Sequence, residues 1–314
     1  VDTDAKQSDR YLVHVVQSGL GLPDESYYRD DNHAETREAY RDHVSRMFAL
    51  AGYDDADQRA TTVLNLETAI AGHHWDVVRR RDADLTYNLF SLGEFDSLAS
   101  GFNLHEWFGG LGTVGDVTFA EVVVSQPSFI DDVTTLFAES PLEHWKTWLT
   151  WRLLHSAASY LSSEFVDENF AFYGRTLTGA PELRDRWKRG VAFVEGAAGE
   201  LVGKLYVAEH FPPRAKERMV ELVANLIEAY RRDFETLEWM SPQTRERALA
   251  KLARFVPKIG YPDKWRDYSD LEIVPGDLLG NLARSADFEM RRQLDRIGGP
   301  IDRTEWLMTP QTVN

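Results

Sequence analysis

The chain has 314 residues, 43% hydrophobic and 12% aromatic, a composition that excludes disorder and allows one large domain or about two ordinary ones. Its 51 acidic and 35 basic residues give a net charge of −16, a surface that repels phosphate backbones and argues against nucleic acid as a partner. Cysteine is absent, which removes disulfides, thiolate metal sites and cysteine nucleophiles, and no run approaches the ~18 apolar residues of a membrane span.

From the N-terminus, Tyr11 to Val16 is apolar and β-branched and predicts a strand. The charged stretch Asp4 to Arg10 before it makes the connection of a hairpin whose first strand is expected to be mostly missing. His33 to Ala51 carries Tyr40, Val44, Met47 and Phe48 at helical spacing and stops at Gly52, a helix-ending glycine. Ala56 to Ala71 repeats the pattern with Val63, Leu64, Leu66 and Ile70. Arg79-Arg80-Arg81 is followed at once by Asp82 and Asp84 and reads as a solvated face. Glu121 to Val124 is either a strand or a buried helical turn. Pro141 to Leu161 predicts a helix bearing Trp145, Trp148 and Trp151.

Further on, Trp187, Val191, Val194, Ala198, Leu201 and Leu205 form one apolar stripe, and Val220, Val223, Ile227, Tyr230, Phe234 and Leu237 form another. Joined at Pro212-Pro213, these two helices are expected to pack side by side as an antiparallel pair. Ser241-Pro242 opens a third helix that runs to the break at Pro257, and one more spans about Asp277 to Ile297. The last residues, Trp306 to Asn314, look strand-like. Both ends therefore read as internal to a longer protein. The expected fold is mainly α, a multi-helical domain with a few short strands. Residues 1–256 form its helical body and residues 257–314 a connecting segment.

Motifs for chemistry are nearly missing. His105-Glu106 is the one His-Glu pair, but glycine stands where a zinc helix needs its second histidine. His73-His74 are adjacent and point apart on a helix, and His144 and His155 are three turns apart, too far to share a metal. Gly109-Gly110-Leu111-Gly112 lacks the strand-to-helix setting of a dinucleotide site, and there is no nucleophile elbow or phosphate loop. Neither catalytic nor metal-binding residues are assigned.

A set of ordered motifs nevertheless runs through the chain. They are Leu20-Gly21-Leu22-Pro23-Asp24-Glu25-Ser26-Tyr27-Tyr28, Phe172-Tyr173-Gly174-Arg175-Thr176-Leu177-Thr178-Gly179, Arg186-Trp187-Lys188-Arg189-Gly190 and Val202-Gly203-Lys204-Leu205-Tyr206-Val207. Glu238-Trp239-Met240-Ser241-Pro242-Gln243-Thr244-Arg245, Lys258-Ile259-Gly260-Tyr261-Pro262-Asp263-Lys264-Trp265 and Met308-Thr309-Pro310-Gln311-Thr312-Val313-Asn314 complete the set. Together they resemble the N-terminal region of the neprilysin-like zinc metallopeptidases, the M13 family, and are most similar to actinobacterial members.

The resemblance implies a helical substrate-gating domain of a zinc metalloendopeptidase, enclosing a cavity and admitting small peptides. The family's His-Glu-x-x-His helix lies beyond its Asn-Ala-Tyr-Tyr motif, of which this chain holds only the first residue. Zinc is thus implied for the intact protein, with its ligands outside this chain. The implied partners are peptide substrates and the catalytic domain of the same protein. Asn314 is the one site residue the resemblance carries over, as a hydrogen-bonding group for substrate backbone. The alternative is a non-catalytic helical module whose tryptophans, Trp145, Trp148 and Trp151, line a peptide groove.

Overall fold

The computed structural model describes residues 1–104, 106–107 and 120–312, and it is mainly helical. It divides into two compact units, one of residues 1–184 with 273–301, the other of residues 185–272 with 302–314.

In the first unit the hairpin strands β1 (Asp2–Thr3) and β2 (Tyr11–Val15) pair antiparallel. Their turn is held by Asp4, which is buried and bound by Arg10 Nε at 2.8 Å and the Tyr87 hydroxyl at 2.7 Å. Burial works against its charge, but these donors and the backbone amides of Lys6 and Gln7 hold its pKa down to about 2. Arg10 also reaches Glu121 at 2.6 Å, tying the hairpin to the next strand of the sheet. That strand, β4 (Glu121–Val124), runs parallel to β2 with His14 opposite Val123, while β3 (Leu89–Ser91) pairs antiparallel on its far side. Glu121 to Val124 is therefore a strand and not a helical turn.

The sheet has the strand order β1-β2-β4-β3, and the helical segments that follow it in the N-terminal part of this unit build its core. They are α1 (Ser26–Arg29), α2 (Ala34–Leu50), α3 (Ala56–His73), α4 (Leu92–Leu98), α5 (Pro127–Glu139), α6 (Leu142–Ala157), α7 (Ser163–Asn169) and a π-helical turn Phe170–Thr176. The stop after α2 is as expected: Gly52 takes φ 87°, and its amide and that of Tyr53 return to Ala49 and Phe48. Ser91 caps α4 reciprocally with Glu94. One core gathers Tyr40, Val44, Met47, Phe48, Val63, Trp151 and Phe172 from α2, α3, α6 and the π turn. A second joins Val122 and Val124 to Ile70, Phe95, Phe129 and Trp145. Each large apolar side chain so buried stabilises the fold by about 1.5–3 kcal/mol.

The second unit carries α8 (Arg186–His210), α9 (Pro213–Thr236) and α10 (Pro242–Leu252), and α11 (Leu278–Leu294) belongs to the first. Ser241 caps α10 through the Thr244 amide, and Asp277 caps α11 through that of Gly280, at 3.0 Å. Here two expectations fail. Helices α8 and α9 do not pack side by side; α9 packs on α10 instead. Their apolar stripes are open: Val191, Val194, Leu201, Leu205, Val220 and Tyr230 are all exposed, and α9 buries no residue. Helical periodicity identifies a face that seeks cover but does not say which element supplies it. Residues 306–312 likewise form no strand; a turn closes from the Thr312 amide to the Thr309 carbonyl at 3.0 Å.

Candidate functional site

The first family-like motif folds into a lock rather than a reactive centre. Leu20 to Leu22 runs past α3, and α1 turns Tyr28 back so that its hydroxyl accepts the amides of Gly21 and Leu22, both at 3.0 Å. That hydroxyl donates to Glu67 Oε2 at 2.7 Å, and Tyr40 donates to the same oxygen at 2.9 Å. Trp151 Nε1 in turn donates to Tyr40 at 2.8 Å. Tyr173, from the second motif, donates to the Gly21 carbonyl, and Arg152 donates to that of Leu20, each at 3.0 Å. Glu67 is fully buried, and burial raises its pKa while the two tyrosines and Arg152 pull it back. Its Oε1 has no partner among the described residues.

Next to this lock, His43 is buried between Phe172 and Trp151, with Nδ1 on Glu168 at 2.9 Å. Arg46 completes the pair on the other oxygen of Glu168, fastening α2 to α7. His155 sits against Trp151 and Tyr173 with Nδ1 unpartnered; burial, with the charges of Arg152 and His43, lowers its pKa to about 4. Among the described residues no three His, Asp or Glu side chains could hold a metal. His74 ends α3 and is spent on Gln17 and the Ser18 carbonyl, whereas its neighbour His73 pairs with Asp132 at 3.2 Å.

The three tryptophans do not share one exposed groove. Trp151 is fully buried, Trp145 is buried, and Trp148 packs on both cores, because three residues of helix place 145, 148 and 151 along the covered side. Of the three, Trp145 borders an apolar cavity of about 650 Å³ with Phe95, Phe102 and Phe137, so no groove lined by all three tryptophans is present among the described residues. His105 and the glycine run 109–112 lie outside the described residues, as do Val313 and Asn314.

What is described is the segment that leads to Asn314, and its setting is in the second unit. Helix α8 is interrupted at Ala198, whose φ −148° and ψ 47° are not helical. The buried residues of α8 are Gly199, Glu200, Gly203 and Val207, a different face from the apolar stripe. Along it runs the turn 309–312, where Gln311 Nε2 donates to the Gly199 carbonyl at 3.0 Å and the Thr309 and Thr312 hydroxyls meet at 2.8 Å. A methyl on Gly199 would sit 2.8 Å from Thr309 Cγ2, and one on Gly203 would sit 2.8 Å from Pro310 Cδ. Glu200 steadies the same stretch by accepting the Arg266 amide at 2.6 Å, and its own amide donates to the Tyr268 hydroxyl at 3.4 Å. Periodicity missed this face because its members are glycine; the Val202 to Val207 motif was the signal for it.

Residues 1–262 match the sequence model of the family described as Peptidase family M13. Over its whole length the chain is 29% identical to Neprilysin-3 of Drosophila melanogaster, covering 42% of that protein. It is 27% identical to Neutral endopeptidase of Lactobacillus helveticus, covering 48% of it. The zinc metalloprotease Zmp1 of Mycobacterium tuberculosis, solved in an open state, is 52% identical and superposes with a TM-score of 0.92. All of this chain is covered in that comparison but only 49% of the mycobacterial protein, so the chain spans about half or less of the length of these relatives.

Proposed function

Because the chain belongs to peptidase family M13, we propose that it is the N-terminal, substrate-gating part of a zinc metalloendopeptidase that cleaves small peptides. In this account residues 1–256 enclose one side of the substrate cavity, and residues 257–314 lead back toward the catalytic part. The observation that carries it is the likeness, over the whole chain, to a zinc metalloprotease at 52% identity.

Among the described residues no three His, Asp or Glu side chains are grouped as a metal would need; the ligands of the zinc are assigned, by the family likeness, to the part of the protein outside this chain, and no step is derived through it. What this chain supplies is shape and alignment. Asn314 would hydrogen-bond substrate backbone. Among the described residues no cluster of side chains is present to hold a water-activating metal, and we expect the chain to be inactive alone.

The open face of α9 and α10 is given to the catalytic part. A groove of about 450 Å³ between these helices is lined by Val223, Leu226, Ile227, Tyr230, Phe234, Leu252 and Phe255. An apolar groove of this kind, on helices whose faces are exposed, calls for cover. The relatives carry as much chain again as the part matched here, which is enough to provide it. The test is the intact protein, loaded with zinc, on a peptide series of increasing length and on the same sequences within folded proteins. Cleavage restricted to short peptides and abolished by a chelator supports the account; equal cleavage of folded substrates contradicts it.

A further inference from the structure

We propose that the apolar cavity beside β2 in the first unit is a binding site for a free, uncharged aliphatic molecule that carries one oxygen, such as an alcohol or ester, held by the indole N–H of Trp145. The inference goes beyond the peptidase reading and does not depend on it.

The cavity, of about 650 Å³, is built within one unit: β2 gives Val13 and Val15, α4 gives Phe95, α5 gives Val133 and Phe137, and α6 gives Trp145. Its size is inside the range of small-molecule sites, about 300–1,000 Å³. An apolar cavity of about 150 Å³ walled by Leu, Ile and Phe already takes benzene, and this one has about four times that room with walls of the same chemistry. The walls are also fixed in advance. The Phe137 ring lies 5.3 Å from those of Trp145 and Phe102, and Phe95 and Ile130 are held in the second core. A ligand entering a preformed wall spends little on ordering it.

The polar groups of the wall narrow the ligand further. The Thr134 hydroxyl is already spent on the Ile130 and Asp131 carbonyls, at 2.9 and 3.1 Å. Trp145 is 7% exposed, yet its Nε1 has no partner among the described residues. An indole N–H only donates, and a buried donor calls for an acceptor oxygen. His14 Nε2, also buried without a partner, belongs to a ring that burial holds neutral by lowering its pKa. No Lys or Arg side chain lines the cavity. A carboxylate would lose its water here without a side-chain cation to replace it, whereas an alcohol or ester oxygen needs only the donor.

The test is calorimetric titration of the intact protein at pH 7.5 with 1-hexanol, 1-heptanol and 1-octanol, with hexane and octanoate as references. Affinity is expected to rise about fourfold for each added methylene, and octanoate to bind at least tenfold more weakly than 1-octanol. Val133→Trp puts an indole into the cavity and should abolish binding of the alcohols and of hexane. If that variant fails to fold, Val16→Trp makes the same test from a wall position that is 58% exposed. Trp145→Phe keeps the apolar wall and removes the donor. It should weaken 1-hexanol about 3- to 10-fold and leave hexane unchanged. The site is overturned if the alcohols do not bind, or bind equally well to the cavity-filling variant. The role of the indole N–H is overturned if Trp145→Phe affects hexanol and hexane alike, and the uncharged class if octanoate binds as tightly as 1-octanol.

Discussion

The hydroxyl of Tyr40 occupies the space where a side chain on Gly21 would begin. That hydroxyl is also the acceptor for Trp151 Nε1 and a donor to Glu67, so it has no room to retreat. Gly21→Ala should therefore destabilise the first unit by about 1–3 kcal/mol, the usual effect of overpacking a filled core. Denaturant unfolding followed by tryptophan fluorescence measures it; a change under about 0.5 kcal/mol would mean the lock is looser than its geometry.

Tyr40→Phe removes the hydroxyl without removing bulk. It strips Glu67 of one of its donors and leaves the Trp151 indole N–H without its acceptor in the core. Stranding buried polar groups costs about 1–3 kcal/mol. Calorimetry of the variant should show a lowered midpoint, and Tyr40→Phe combined with Trp151→Phe should be less than additive, since the two share one bond.

Acid should weaken the fold in a definite window. The pKa of His155 is about 4 when folded against an ordinary 6.5, so between these values the unfolded state binds the extra proton. Its contribution is neutral above pH 6.5 and becomes increasingly unfavourable down to about pH 4. His14, His43 and His74, all lowered by burial, add the same sign, and Glu67, raised by burial, opposes it. Asp4 acts lower still: its stabilisation is present above its ordinary 3.8 and is lost as pH falls toward about 2. Unfolding free energies at pH 7.5 and 5.0 should fall between the two, and His155→Phe should flatten the slope. A slope unaltered by that change would contradict the assignment.

Prepared without the rest of its protein, the chain should self-associate through α9 and α10. Tyr230 is 55% and Leu226 50% exposed at the centre of an apolar face. Sedimentation of the chain with Leu226→Lys and Tyr230→Lys should show markedly less association than the parent. Identical behaviour would place the sticky surface elsewhere.

Most helices could be read from spacing, because α2, α3, α6, α9 and α10 carry apolar residues at 3–4 intervals and start or stop at Ser, Pro or Gly. β3 and α5 were not anticipated: Leu89-Phe90-Ser91 is too short for a pattern, and its strand exists only through its partner β4. The pairing of α8 with α9 was wrong for a related reason, since an apolar stripe does not name its partner. Harder still was the covered face of α8, where contact depends on glycines and no hydrophobicity marks it. The role of Glu67 was invisible too. An acidic residue inside an otherwise apolar helix face looks like noise until Tyr28 and Tyr40 converge on it from elements 39 and 27 residues away.

The central claim is that this chain shapes the site of a peptidase whose chemistry lies elsewhere in the same protein. The most direct measurement is hydrolysis of one short fluorogenic peptide, with zinc present, by this chain alone, by the remaining C-terminal portion alone and by the two combined. The account predicts no turnover by this chain and recovery of activity only when both parts are present. Turnover by this chain alone that survives a chelator would contradict it.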